Sequence, residues 1–287
     1  VFSSTTYSYR PNIFQSIKTP PANPWLMEAD QEVVAAWDSL REHWLIPTTG
    51  KKAPKNLFYN FLRLSIVPLF RFMIRLRVRG DSNIPRKGSV ILAANHLSHV
   101  DPILVIISSR RTTHYLAKDG HFQKAWTRFV MKSTGQIETQ RESGGLDALS
   151  SAADVLDQGR ALGIFPEGTR SKREEAPFLL PGKTGVARLA ASYPHTVVVP
   201  IAIIGSRDMM KPQEHKLPRL HRPVHFNAGE GVTWYQWLVD SNGGNQTSEA
   251  LLQLSKKEEH EIRAELAALY RRFTDQIMGS ISGLGAP

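Results

Sequence analysis

Three unbroken apolar runs constrain this chain most: SVILAA (89–94), ALGIF (161–165) and TVVVPIAI (196–203). A run of that length without polar alternation suits a strand covered on both faces. Each is followed by a polar loop and then by sequence of helical period. DPILVIIS (101–108) begins Asp-Pro, with Asp101 placed to cap a helix and Pro102 at its first turn. LDALSSAADVLDQG (146–159) and KTGVARLAAS (183–192) read as further helices. THYLA (113–117) and GQIETQR (135–141) read as strands, HFQKAWTRFVMKST (121–134) as a helix, and Arg222–Asn227 as an edge strand. This alternation predicts an α/β fold: a three-layer domain with a mostly parallel central sheet flanked by helices. Ligands of such sheets bind beyond the carboxyl ends of strands. NHLSHVDP (95–102) and PEGTRS (166–171) are the loops that leave two of those ends.

Around this core the chain divides into four stretches. Residues 1–55 form an N-terminal extension, partly helical, with Val33, Val34, Trp37, Leu40 and Trp44 spaced along one helix from Glu28 to Trp44. Residues 1–27 carry no acid and many Ser, Thr and Tyr, which suits a flexible extension. Residues 56–79, NLFYNFLRLSIVPLFRFMIRLRVR, mix aromatic and aliphatic residues with arginine. Between Glu42 and Asp81 there are eight Lys or Arg and no acid. A central arginine costs roughly 2.5–3.5 kcal/mol to insert across a bilayer, and Pro68 interrupts the run, so a spanning helix is disfavoured. An N-terminal amphipathic helical membrane-docking segment fits better, with Phe58, Phe61, Arg63, Phe70, Arg71 and Arg75 at lipid. Residues 80–240 hold the α/β domain. Residues 241–287 supply a mobile loop near DSNGGNQTS and a helix over 255–279, striped by Ile262, Leu266, Leu269, Phe273 and Ile277.

Charge and composition narrow the partners. The net charge of +10 points to polyanions: nucleic acid, anionic lipid or phosphorylated substrates. Nucleic-acid binding asks for aromatics interleaved with basic residues on a sheet or groove. Here the basic residues accompany a long aliphatic run instead, so no nucleic acid is expected. Cysteine is absent, which excludes disulfides, thiolate metal sites and a cysteine nucleophile. There is no GxSxG elbow. PGKTG (181–185) resembles half a phosphate loop, but Pro177 stands where the first glycine is required.

His96 and Asp101 are separated by four residues across a strand-to-helix loop. Asp101 can reach one imidazole nitrogen and fix the tautomer, leaving the other nitrogen as a general base. Two other readings stand beside this one: Asp101 as a plain helix cap, and a metal site using His96, His99 and Asp101, which lacks further ligands in sequence. His99 reads as a bystander. In FPEGTRS, Gly168 permits a close backbone approach, Arg170 offers a fork for phosphate, and Glu167 reads as a loop organiser. Lys183 would meet phosphate at a helix start.

Together these stretches resemble the glycerolipid acyltransferase family typified by the 1-acylglycerol-3-phosphate acyltransferases. NHLSHVD resembles its NHxxxxD block, and FPEGTRS its third block. GQIETQR is similar to the second block, with Glu138, Thr139 and Gln140 in place of its usual residues, and VVVPIAI to the fourth. The resemblance covers roughly residues 57–240. It implies a catalytic pair of His96 and Asp101, with Asn95, Glu167, Gly168 and Thr169 supporting the motifs. It implies Arg141, Arg170 and Lys183 as holders of the substrate phosphate. It implies acyl transfer from acyl-CoA or acyl-carrier protein, as co-substrate, to the free hydroxyl of lysophosphatidic acid, with no cofactor and no metal. Glycerol 3-phosphate or another lysolipid is the alternative acceptor, and a non-catalytic basic membrane-binding module the alternative class. The expected partners are the lysophospholipid, the acyl donor and an anionic membrane surface. The expected location is peripheral or monotopic, on a cytoplasmic or stromal face.

Overall fold

The computed structural model describes residues 30–52, 61, 64–65, 68–69, 71–118, 137–139, 145–211, 214 and 217–287. Seven strands lie among them: β1 (Leu76–Arg79), β2 (Val90–Ala94), β3 (Thr113–Lys118), β4 (Ile137–Thr139), β5 (Ala161–Ile164), β6 (Val197–Ile204) and β7 (Val224–Ala228). They form one sheet in the order β1-β7-β6-β2-β5-β3-β4. The five from β6 to β4 run parallel; β7 runs antiparallel to β6, and β1 parallel to β7. The fold is α/β with a mostly parallel sheet, as the apolar runs predict.

The helices are α1 (Gln31–Asp38), α2 (Arg41–Trp44), α3 (Asp101–Ser109), α4 (Gly145–Asp157), α5 (Gly185–Ser192), α6 (Ser206–Met209), α7 (Trp234–Val239), α8 (Ser248–Leu254) and α9 (Glu259–Gly283). The continuous apolar strands are explained by two separate cores. Ile91 and Ala93 of β2 and Val198 and Ala202 of β6 pack with α4, α5 and α9 on one face. Val90, Leu92 and Ala94, with Val197, Val199, Ile201 and Ile203, pack with α3 on the other. Side chains alternate along a strand, so a strand covered twice must be apolar at every position.

Five sequence expectations change. The Glu28–Trp44 helix is two helices, broken at Ser39–Leu40. This segment is built into the core rather than appended to it: Trp37, Leu40 and Trp44 are buried, Trp37 stacks on Trp44 at 5.6 Å, and Trp37 Nε1 donates to the Ala191 carbonyl. The last four residues of the expected membrane segment, Leu76–Arg79, form β1 rather than helix. LRVR alternates apolar and basic with period two, and its arginines are exposed while Leu76 and Val78 turn inward. Residues 224–228 are not at the edge, because β1 covers them. The 240–248 loop is held by Arg272, which donates to the carbonyls of Gly243 and Gly244 at 3.3 Å. The α9 stripe, Ile262 to Ile277, is buried against the sheet. Phe58, Arg63, Phe70, Arg141 and the helix expected over 121–134 lie outside the described residues.

Candidate active site

The register sets where the loops emerge. Ala93 of β2 pairs with Ile164, the last residue of β5, so these two strands release their loops at one level, while the neighbouring β6 runs on to Ile204. β2 stops at Ala94 because Asn95 takes over the pairing. Its side-chain amide donates to the Ile203 carbonyl at 3.0 Å, and its oxygen accepts the Ile203 N–H at 2.7 Å. The backbone is thereby freed to turn, and His96 is the next residue.

His96 Nδ1 lies 2.9 Å from Asp101 Oδ2. The same oxygen accepts the amides of Leu97 at 2.7 Å and Ser98 at 2.6 Å. A carboxylate with three donors cannot rotate without breaking its own loop. With the carboxylate accepting, Nδ1 carries the proton, and in the neutral imidazole Nε2 keeps a lone pair. The His96 ring lies flat on Phe165, with centroids 4.0 Å apart and planes 11° apart. Tyr115 backs Phe165 at 5.3 Å. Asp101 is fully buried, while the His96 side chain keeps 17% of its surface exposed. The imidazole can therefore meet a substrate that the carboxylate cannot.

The helix-cap reading of Asp101 is corrected. Helix α3 begins at Asp101 with Val100 as its cap residue and no side-chain cap bond. The carboxylate faces back into the loop instead of forward onto the helix amides.

Glu167 is 2% exposed and ties two loops to each other. Its Oε1 accepts the His96 amide at 2.6 Å and its Oε2 the Leu180 amide at 3.0 Å. Burial pushes its carboxyl up to about 7, with the Asp101 charge adding; the two amides and Arg173 pull the other way. Ser171 N–H donates to the His96 carbonyl at 3.0 Å, so the 165–171 loop clasps His96 on two sides. Gly168 sits at φ +70°, and a Cβ there would come within 3.0 Å of the Lys183 side chain, which crosses over it. That contact brings Lys183 to the loop. Lys183 is exposed and precedes α5, and its amide donates to the Pro166 carbonyl at 2.7 Å. Thr169 is exposed.

Arg170 is half-buried, and burial lowers its pKa. Its Nη1 contacts His99 Nε2, so His99 is no bystander but the neighbour of the expected phosphate fork. Three groups went unassigned in the sequence: Phe165 under the imidazole, the Leu180 amide, and Arg207. Arg207 lies 4.5 Å over the Phe178 ring. Its helix, α6, is joined to the His96 loop by Ser98 Oγ, which donates to the Met210 carbonyl at 2.6 Å.

Residues 75–204 match the family model described as Acyltransferase, a span that holds β1 to β6 and both loops. A 1-acyl-sn-glycerol-3-phosphate acyltransferase of Borreliella burgdorferi is 35% identical over 101 residues, covering 34% of this chain and 40% of that protein. Over residues 75–204 the chain is similar to the acyltransferase family. The chloroplastic 1-acyl-sn-glycerol-3-phosphate acyltransferase LPAT1 of Arabidopsis thaliana is 25% identical, covering 61% of this chain and 51% of that protein. The Bacillus subtilis protein of the same enzyme name is 26% identical, with 46% and 64% covered. The chain spans about half the length of the curated relatives it matches. A crystal structure of the 1-acyl-sn-glycerophosphate (LPA) acyltransferase PlsC from Thermotoga maritima is 17% identical, covering 85% of this chain and 94% of that one, with a TM-score of 0.47.

Proposed function

We propose that this protein moves a fatty acyl group from a thioester donor, acyl-CoA or acyl-carrier protein, to the free hydroxyl of lysophosphatidate, giving phosphatidate. The observation that carries this reading is the His96–Asp101 pair, 2.9 Å apart at a strand end, with one imidazole nitrogen left to act as base. The names of the curated relatives supply the substrate class.

In this scheme His96 Nε2 takes the hydroxyl proton as the oxygen attacks the thioester carbonyl. Asp101 holds the imidazole in place and stabilises the imidazolium. The C–O bond forms, the C–S bond breaks, and the imidazolium returns the proton to the leaving thiolate. A thioester is already activated, so positioning and one base suffice. Arg170 and Lys183, with Arg141, hold the phosphate of the acceptor.

The acceptor is a lipid, so the protein works at a membrane surface. The described residues between 61 and 73 are helical, and Phe61, Leu64, Leu69, Phe72 and Met73 are all at least half exposed, Phe72 at 90%. Arg71 and Arg75 add positive charge beside these apolar side chains, a combination suited to anionic lipid. No helix among the described residues is long and apolar enough to cross a membrane.

The test uses purified protein, palmitoyl-CoA and lysophosphatidate, with release of free thiol and formation of phosphatidate as readouts. His96→Ala is expected to lower kcat by about 10²–10⁴-fold. Equal rates for wild type and His96→Ala would reject the mechanism. Glycerol 3-phosphate in place of the lysolipid separates the two acceptor classes.

A further inference from the structure

At the end of the strands opposite His96, an open cleft of about 280 Å³ is lined by Arg86, Arg110, Arg111, Arg160 and His114. The strand register explains the gathering. Val90, Ala161 and Thr113 pair side by side at the amino-terminal ends of β2, β5 and β3. Each of the four arginines lies a few residues before one of them, so loops distant in sequence deliver guanidiniums to one place.

These groups are fixed more firmly than surface arginines usually are. Arg111 donates to the carbonyls of Pro85 at 2.6 Å, Lys87 at 3.3 Å and Gly88 at 2.6 Å. Those acceptors hold the guanidinium without neutralising it. Burial, and after it the positive charge of Arg86, lowers its pKa to about 10. Asp81 Oδ2 is shared, 3.6 Å from Arg86 and 3.3 Å from Arg110. Arg110 also adopts φ +55° at the end of α3, a position that glycine fills most cheaply. A long cationic side chain is kept there against the backbone preference.

We propose that this cleft binds a dianionic phosphoryl group, at a second site separate from the His96 loop. Guanidinium forks match phosphate oxygens in geometry and charge, and an anion between them relieves their mutual repulsion. The cleft is small and polar, which suits the phosphate of a monoester or diphosphate rather than an acyl chain. The group can be supplied by a dissolved phosphate compound or by a lipid headgroup, and the chemistry of recognition is shared.

Thermal melts of the whole chain, with inorganic pyrophosphate against sodium chloride of equal ionic strength, test the first source. Flotation on phosphatidylcholine vesicles with and without phosphatidate tests the second. The variants are Arg160→Gln and Arg110→Gly; the latter removes a guanidinium while relieving the positive φ, so its folding is not at risk. Pyrophosphate is expected to raise Tm by several degrees in wild type and in His96→Ala, and by less than half as much in both arginine variants. A pyrophosphate effect of nil, with phosphatidate-dependent flotation lost in both variants, assigns the site to headgroups. A Tm rise undiminished in both variants, or no rise together with unchanged flotation, overturns the proposal.

Discussion

Oδ2 of Asp101 accepts the His96 ring and the amides of Leu97 and Ser98, so the residue that orients the imidazole also shapes the loop that carries it. Asp101→Asn leaves one oxygen for the amides but presents an NH₂ or a weaker acceptor to Nδ1. The expected result is a fall in kcat of about 10²–10⁴-fold with little change in KM, measured by thiol release at saturating lysolipid. Glu167 makes a prediction about pH. Its carboxyl titrates near 4.5 when unfolded and about 7 when folded. The folded state holds the proton more tightly, so this contribution to stability is full below about 4.5 and is lost as pH rises through about 7. Urea midpoints should therefore decline between those limits in wild type, and Glu167→Gln should flatten the decline; an equal slope in the variant would remove Glu167 as its source. The His96–Asp101 pair was readable because its spacing is local. The Glu167 clamp was not, since its partners His96 and Leu180 lie 71 and 13 residues away, and only the meeting of two strand ends joins them.

At the scale of elements, the buried strands were legible because a strand covered on both faces has no polar positions to blur the signal. Strand β1 was hidden: LRVR closes a longer run whose sequence reads as helical, and four residues of period two do not outweigh it. The N-terminal helices were legible as helices but not as core, because their partners are Ala191, Ser192 and Trp234, far along the chain. Trp37 is fully buried between Trp44 and Trp234, and its truncation leaves a cavity at the junction of four helices. Trp37→Ala is expected to cost about 3–5 kcal/mol of stability, read from urea unfolding followed by far-ultraviolet circular dichroism. For the exposed helical segment, Leu64→Asp with Phe72→Asp should abolish flotation on anionic vesicles while leaving Tm within a few degrees. Undiminished flotation would remove this segment from membrane docking.

For the molecule as a whole, the proposed function makes the net charge of +10 an attraction to anionic surfaces over a range set by salt. Vesicle binding should weaken steeply as ionic strength rises from about 0.05 to about 0.5 M, while activity on a short-chain, monomeric lysolipid changes far less. A parallel loss of both would place the salt effect in the active site instead. The link between the exposed segment and the sheet has a mechanical consequence. Met73 is the last helical residue, Ile74 is buried, and the Arg75 carbonyl already accepts the Val224 amide at 3.0 Å. Two residues of extended chain reach only about 7 Å, so there is almost no slack. Whatever grips the segment therefore grips the sheet like a short, stiff handle. On the proposed membrane docking, such a grip would set the tilt of the strands and the height at which the His96 loop meets the surface, and a few inserted residues at Ile74 would loosen that aim without touching His96 or Asp101.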